Sequence, residues 1–118
     1  MTRWIEANEV PRLLRPGHRV YAGGSSNEPV ALLAAIMAEP PSARDVTFIQ
    51  QPLAINRFDL SELHPTARQE TFFMTPALKD GHAAGRVDFI PMQMRTIFDY
   101  LARSRMDIAL LAAAADKN

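Results

Sequence analysis

The feature that most constrains this chain is an abrupt change of hydrophobic rhythm between neighbouring segments. Arg19-Val20-Tyr21-Ala22-Gly23 reads as a strand and breaks at Gly23-Gly24-Ser25-Ser26. Asn27-Glu28-Pro29 follows at once, and Val30, Leu32, Leu33, Ile36 and Met37 then fall on one helical face. Asn27 or Ser26 suits the helix cap, Glu28 meets the positive end of the helix dipole, and Pro29 belongs in the first turn. Pro40-Pro41-Ser42 ends the helix, and Asp45 to Gln50 is a short, nearly continuous apolar run, as expected of a strand buried on both faces. Strand, tight loop, helix and strand make a βαβ unit.

The same rhythm extends in both directions. Residues 7–14 read as a short helix closed by the turn Arg15-Pro16-Gly17-His18. Gln51 to Gln69 is expected to be a loop with one helical turn, well beyond the usual connection of about four to six residues, and long connections are often functional. Thr71-Phe72-Phe73-Met74 is the third strand candidate, and Thr75-Pro76 starts a helix that Gly85 closes near Ala84. Val87 to Ile90 then reads as a strand, Pro91 as a break, Met94 to Arg103 as a helix with Ile97, Phe98 and Leu101 on one face, and Asp107 to Leu111 as a strand. Five strands alternating with helices imply an α/β fold, a Rossmann-like parallel sheet with flanking helices and right-handed crossovers.

At 118 residues the chain is one domain's worth. Thirteen basic and thirteen acidic side chains cancel, which removes the positive field that nucleic acid or an anionic membrane would recognise. The absence of cysteine excludes disulfides, thiolate metal sites and a Cys nucleophile. No apolar run reaches the ~18 residues of a membrane span, and an acid at Glu6 argues against a signal peptide, so a cytoplasmic protein is expected. After the last strand come Ala112 to Ala115 and Asp116-Lys117-Asn118, where a loop at the carboxyl edge of the sheet should begin, so the expectation is a domain truncated at that end.

The best site candidate is Gly23-Gly24-Ser25-Ser26-Asn27-Glu28. Glycines permit close backbone approach, and N–H groups and hydroxyls at a helix start can hold an anion or an oxyanion. It matches neither GxGxxG nor a P-loop, which argues against a nicotinamide-dependent oxidoreductase. Glu28 also sets a negative charge beside the seat, so a carbonyl or carboxyl contact is favoured over phosphate. The plain alternative is a tight turn that merely caps its helix. Glu28 itself reads either as a nucleophile or base, or as a dipole cap. Gln50 and Gln51, at a strand exit, can bond a ligand or face solvent; Met92 and Met94 can line an acyl pocket or simply pack. His18, His64 and His82 lack metal-ligand spacing, and no Ser/His/Asp order or paired-carboxylate motif stands out.

With these residues in place, the chain resembles the N-terminal half of the acetyl-CoA hydrolase/transferase family, which includes 4-hydroxybutyrate CoA-transferases. The matching segments are Glu9-Val10 through Leu14-Arg15-Pro16-Gly17-His18-Arg19-Val20-Tyr21, Gly24-Ser25-Ser26-Asn27-Glu28-Pro29 with Leu32-Leu33, and Thr71-Phe72-Phe73-Met74-Thr75-Pro76. Gly85-Arg86-Val87-Asp88-Phe89-Ile90-Pro91-Met92 and Asp107-Ile108-Ala109-Leu110 complete the match in order over nearly the whole chain.

The resemblance implies a NagB/RpiA/CoA-transferase-like fold and an active site between two such halves. It implies a double displacement in which a Glu carboxylate attacks an acyl-CoA thioester and CoA then passes through a glutamyl-CoA thioester. That Glu belongs to the C-terminal half, so no catalytic residue maps here. Gly23, Gly24, Ser25 and Ser26 are expected to line the acyl or CoA end of the cleft, with Gln50 and Met92 at strand exits. Coenzyme A enters as substrate, with no tightly bound cofactor and no metal; the partners implied are an acyl-CoA, a carboxylate, and a C-terminal catalytic half or a second copy in a homo-oligomer. Relatives usually follow the last strand with a Ser-Pro-Pro-Asp-type loop, where this chain has Ala112 to Ala115 and Asp116. The competing expectation is a non-catalytic Rossmann-like module that binds a small ligand or serves as a scaffold.

Overall fold

A computed structural model describes residues 2–114. Its centre is a five-stranded, all-parallel sheet, β1 Arg19–Ala22, β2 Thr47–Gln50, β3 Arg68–Thr71, β4 Val87–Phe89 and β5 Ile108–Leu110, in the order β4-β3-β2-β1-β5. The α/β class and parallel sheet read from the alternation are therefore present. Register places Tyr21 beside Ile49 on one side and Ala109 on the other, with Ile49 next to Glu70. Because side chains alternate between faces, Val20, Ala22 and Phe48 point to one side and Tyr21, Ile49 and Glu70 to the other.

The first face carries the larger core. Leu33 and Ile36 of helix α1 (Val30–Ala38), Val10 and Leu14 from the N-terminal segment, and Leu60 and Leu63 bury Val20 and Phe48. On the second face helix α3 (Met94–Arg103) sets Ile97 against Ile49 and Phe72, with Tyr100 edge-on to Phe72 at 5.6 Å. The chain steps outward from β1 to β4 and then returns across the sheet to place β5 on the free side of β1. Connections running in opposite directions lie on opposite faces, which is what a single crossover hand requires. The sheet thus switches direction between β1 and β5.

Several local expectations are corrected. Residues 7–14 form a 3-10 helix, Ala7–Leu13, with Pro11 inside it; a proline cannot donate to the ladder, so a regular α-helix does not form. Neither Asn27 nor Ser26 caps α1: its cap position is Pro29, and Ser25–Asn27 form a 3-10 turn of their own. Val30 and Met37 are about half exposed rather than on the buried stripe, and Phe98 points outward from α3. The helix after Thr75-Pro76 splits into a 3-10 turn, Pro76–Leu78, and helix α2, Lys79–Ala83.

The third strand is Arg68–Thr71, not Thr71 to Met74, so the preceding connection is shorter than expected and contains a 3-10 turn at Leu60–Leu63. The polar sequence Arg-Gln-Glu-Thr is held in the sheet by partners. Gln69 Oε1 accepts from the Leu60 N–H at 2.8 Å, Glu70 is paired under α3, and Thr71 Oγ1 donates to the Phe73 carbonyl at 2.6 Å. Ala115 and Asp116, part of the departure from the Ser-Pro-Pro-Asp-type loop, lie outside the described residues.

Candidate functional site

The carboxyl ends of β1, β2, β3 and β5 open onto one cleft of about 450 Å³, within the range of about 300–1,000 Å³ usual for small-molecule sites. Tyr21, Gly23, Gly24, Ser25 and Asn27 line it from β1 and the loop that follows. The exits of β2, β3 and β5 supply Gln51, Leu53, Phe73 and Leu111, and the first residue of α3 supplies Met94. Its position, outside the carboxyl edge and beside the switch between β1 and β5, is the one that open α/β sheets use for ligands.

The Gly/Ser loop is held by its own chain. A Cβ on Gly24 would lie 2.0 Å from the Gln51 carbonyl oxygen, and one on Gly23 would lie 2.4 Å from that of Asn27. These glycines are therefore needed because backbone meets backbone within the fold. Gly23 N–H donates to the Leu110 carbonyl at 2.9 Å, Asn27 N–H to that of Gly24 at 3.0 Å, and Ser25 N–H to Asn56 Oδ1 at 2.8 Å. Those three amides are committed internally, so they are not free to hold an anion or an oxyanion.

Asn56, a residue the sequence did not single out, organises this loop. Its Oδ1 also accepts from Leu53 N–H at 2.8 Å, and its Nδ2 donates to the Ser25 carbonyl at 3.0 Å. Both backbone groups of Ser25 are thus gripped by one buried amide, and Ser25 adopts φ of +54°, a left-handed conformation that costs a non-glycine residue about 1–2 kcal/mol. The only sequence signal was the unusual length of the connection that contains Asn56. Asn27 closes the other side: its Oδ1 accepts from Ala112 N–H at 2.9 Å, tying the β1 loop to the β5 exit. At the rim, Gln51 Nε2 donates to the Met94 thioether at 2.9 Å.

Of the residues singled out from sequence, Gly23, Gly24 and Ser25 converge on the cleft, and Ser26, Gln50 and Met92 do not line it. Ser26 is exposed beyond the loop. Gln50 is completely buried beneath it, where Nε2 donates to the Gly23 carbonyl at 3.0 Å and to Glu28 Oε2 at 3.3 Å. Gln50 therefore props the loop from the first face of the sheet, and Glu28 is drawn to the same side, away from the cleft. Met92 packs against the Ile49–Phe72–Ile97 cluster, and the methionine that reaches the cleft is Met94.

The strongest electrostatic feature lies elsewhere. Arg19 grips Glu70 with both terminal guanidinium nitrogens, at 2.8 and 3.1 Å, and the Tyr100 hydroxyl donates to Glu70 at 2.9 Å. The Arg19 hydrogen bonds hold the Glu70 carboxyl below the usual glutamate range, and Glu70 raises Arg19 in return. Burial, reinforced by Glu70, pushes the Tyr100 phenol up. Asp107 is lowered chiefly by the Arg19 backbone N–H, which donates to it at 2.8 Å. Arg19 begins β1, at the end of the strand opposite the cleft, so this network fastens α3 and β5 to the sheet.

The histidines serve turns. His18 Nδ1 accepts from Arg15 N–H and His64 Nδ1 from Thr66 N–H, each at 3.0 Å, and His82 Nδ1 lies 3.2 Å from the Val87 carbonyl. Among the described residues no three His, Asp or Glu side chains gather as metal ligands, and no helix is long and apolar enough to cross a membrane. No protein-family model matches the chain, and no curated protein matches it in sequence.

Proposed function

We propose that this chain is the N-terminal half of an acyl-CoA transferase or acetyl-CoA hydrolase: it supplies one wall of the cleft for the acyl thioester, and a second polypeptide half supplies the attacking carboxylate. The observation that carries this reading is the cleft at the carboxyl edge, which gathers the exits of β1, β2, β3 and β5 and contains no carboxylate among its described lining residues. The ordered family resemblance supports it independently of the geometry.

In the proposed reaction a glutamate oxygen of the other half attacks the thioester carbonyl carbon. The C–S bond breaks, CoA leaves as thiolate, and an acyl-glutamyl anhydride remains. The thiolate then attacks the glutamyl carbonyl, expels the first carboxylic acid as its anion and leaves a glutamyl-CoA thioester. A second carboxylate, or water in hydrolysis, completes the cycle. Dividing the transfer in this way replaces one difficult displacement by easier ones. The residues of this chain bind and orient: the Ser25 hydroxyl and the Asn27 and Gln51 amides offer hydrogen bonds to the carbonyl end, and Leu53, Phe73 and Leu111 keep water from the acyl chain.

A cleft without an acid equally suits a second reading, a non-catalytic module that binds a small acyl ligand. Adding acetyl-CoA to the isotopically labelled chain should move the amide resonances of Gly24, Ser25 and Leu111, while the chain alone transfers no CoA to a carboxylate. Robust transfer by the chain alone would overturn the half-site reading. Acetyl-CoA that leaves those resonances unmoved would overturn both readings.

A further inference from the structure

We propose that Asn56 is a positioning residue of the cleft, which holds Ser25 in a strained backbone conformation so that the Ser25 hydroxyl meets the ligand's carbonyl. This rests on the reading of the cleft as the acyl-thioester site. Four of the described residues have positive φ. Gly17 and Gly85 take it without steric penalty, and Asp45 is of the residue types whose short polar side chain tolerates it. Ser25, at +54°, is the exception. A glycine there would relieve the strain, as glycines already serve the two positions before it, so the turn itself requires no side chain at residue 25. The chain keeps one and commits a buried amide to holding it: Asn56 is 3% exposed, and its Oδ1 and Nδ2 engage the N–H and the carbonyl of Ser25. With both backbone groups fixed, the direction of the side chain is fixed as well. Ser25 lines the cleft, and its hydroxyl has no hydrogen-bond partner among the described residues, whereas Asn27 Oδ1 and Gln51 Nε2 are already engaged by Ala112 and Met94. Strain that the surrounding structure imposes on one residue is characteristic of ligand sites. Asn56 does not itself line the cleft. Leu53, its other partner, stays in a turn of its own, with its carbonyl accepting from the Asn56 N–H at 2.9 Å, so loss of the side-chain amide bears first on Ser25.

The test titrates the full chain with acetyl-CoA and, separately, with butyramide; the Gly24 and Leu111 amide resonances read affinity, and thermal unfolding reads stability. Ser25→Ala and Ser25→Gly both remove the hydroxyl and should weaken binding about fivefold, the worth of one neutral hydrogen bond. S25G should melt at or above S25A, because only the alanine keeps the strain. Asn56→Ala should weaken binding about fivefold in the parent chain and less than about twofold in the S25G chain, where no hydroxyl remains to be misplaced. A residue that only stabilised the loop would lose as much in both. Asn56→Asp, which keeps the acceptor for the Ser25 and Leu53 amides, takes the place of N56A if that chain does not fold. An S25G chain that melts below S25A, or equal Asn56 losses in both backgrounds, would overturn the inference. Unchanged affinity for acetyl-CoA in S25A and S25G would overturn it too and leave the acyl-thioester reading standing. If butyramide alone binds, with the same dependence on Ser25, the inference stands and the acyl-thioester reading fails. If neither probe moves the resonances, both fail.

Discussion

Replacing Gly24 with alanine tests whether the β1 loop is shaped by its own backbone. The added methyl would sit 2.0 Å from the Gln51 carbonyl oxygen and 2.8 Å from its carbon, whereas ordinary contact begins near 3.4 Å. The obstacle is main chain, and Gln51 directly follows the β2 ladder to β1, so it cannot swing aside as a side-chain tip would. Relief requires the two strand exits to part, which strains the Gly23 N–H to Leu110 carbonyl bond and the Asn56 grip on Ser25. Overpacking of this kind costs about 3 kcal/mol, or a fall in melting temperature of about 12 °C for a domain of this size. Gly17→Ala is the control: nothing lies within 4 Å of its added methyl, and only its φ of +86° opposes the change, so its cost is about 1–2 kcal/mol. Thermal unfolding followed by circular dichroism reads both variants. A Gly24→Ala loss no larger than that of Gly17→Ala would refute the argument.

Asn56→Ala removes three hydrogen bonds at once and should cost about 2 kcal/mol, with hydrogen exchange at Ser25 and Leu53 accelerating more than exchange in β3. Glu70→Gln should cost about 2 kcal/mol at neutral pH by weakening the two-pronged Arg19 contact. Folded Glu70 binds its proton more weakly than the unfolded chain does, so its contribution is full above the ordinary glutamate value of about 4.3 and is lost as pH falls through the lower folded value. Denaturant titrations of the parent chain between pH 7 and pH 2 should therefore show a loss on acidification that is smaller in E70Q. Ile97→Ala should cost about 3 kcal/mol because its side chain is buried against Ile49 and Phe72, whereas Phe98→Ser, on the outer side of the same helix, should stay within about 0.5 kcal/mol; similar losses would mean that α3 faces the sheet differently.

The legible parts of the fold were those in which local pattern and tertiary packing agree. Helix α3 occupies the residues its periodicity and the preceding Pro91 indicate, and β1, β2 and β4 each fall within the expected runs. The expected third strand starts too late because Phe72 and Phe73 have the higher intrinsic β preference, while the polar side chains of Gln69 and Glu70 find their partners in Leu60, Arg19 and Tyr100, outside the strand's own local pattern. The site divides similarly. A glycine pair after the first strand marked the loop, but local pattern could not show that Gln50 and Glu28 lie beneath it, that Met94 rather than Met92 reaches the cleft, or that Asn56 folds back over about 30 residues to fix Ser25. Those placements depend on which face of the sheet each strand exit meets, and one residue of register reverses that face.

The position of β5 beside β1 has a consequence for synthesis. Residues 21–27, one wall of the cleft, are synthesised well before residues 110–112, yet Gly23 waits for the Leu110 carbonyl and Asn27 for the Ala112 amide. Until those later residues leave the ribosome, the β5 side of β1 is an edge with unpaired amides, and this side of the cleft is incomplete. Any ligand of this cleft therefore meets it only after nearly all of the described polypeptide has emerged.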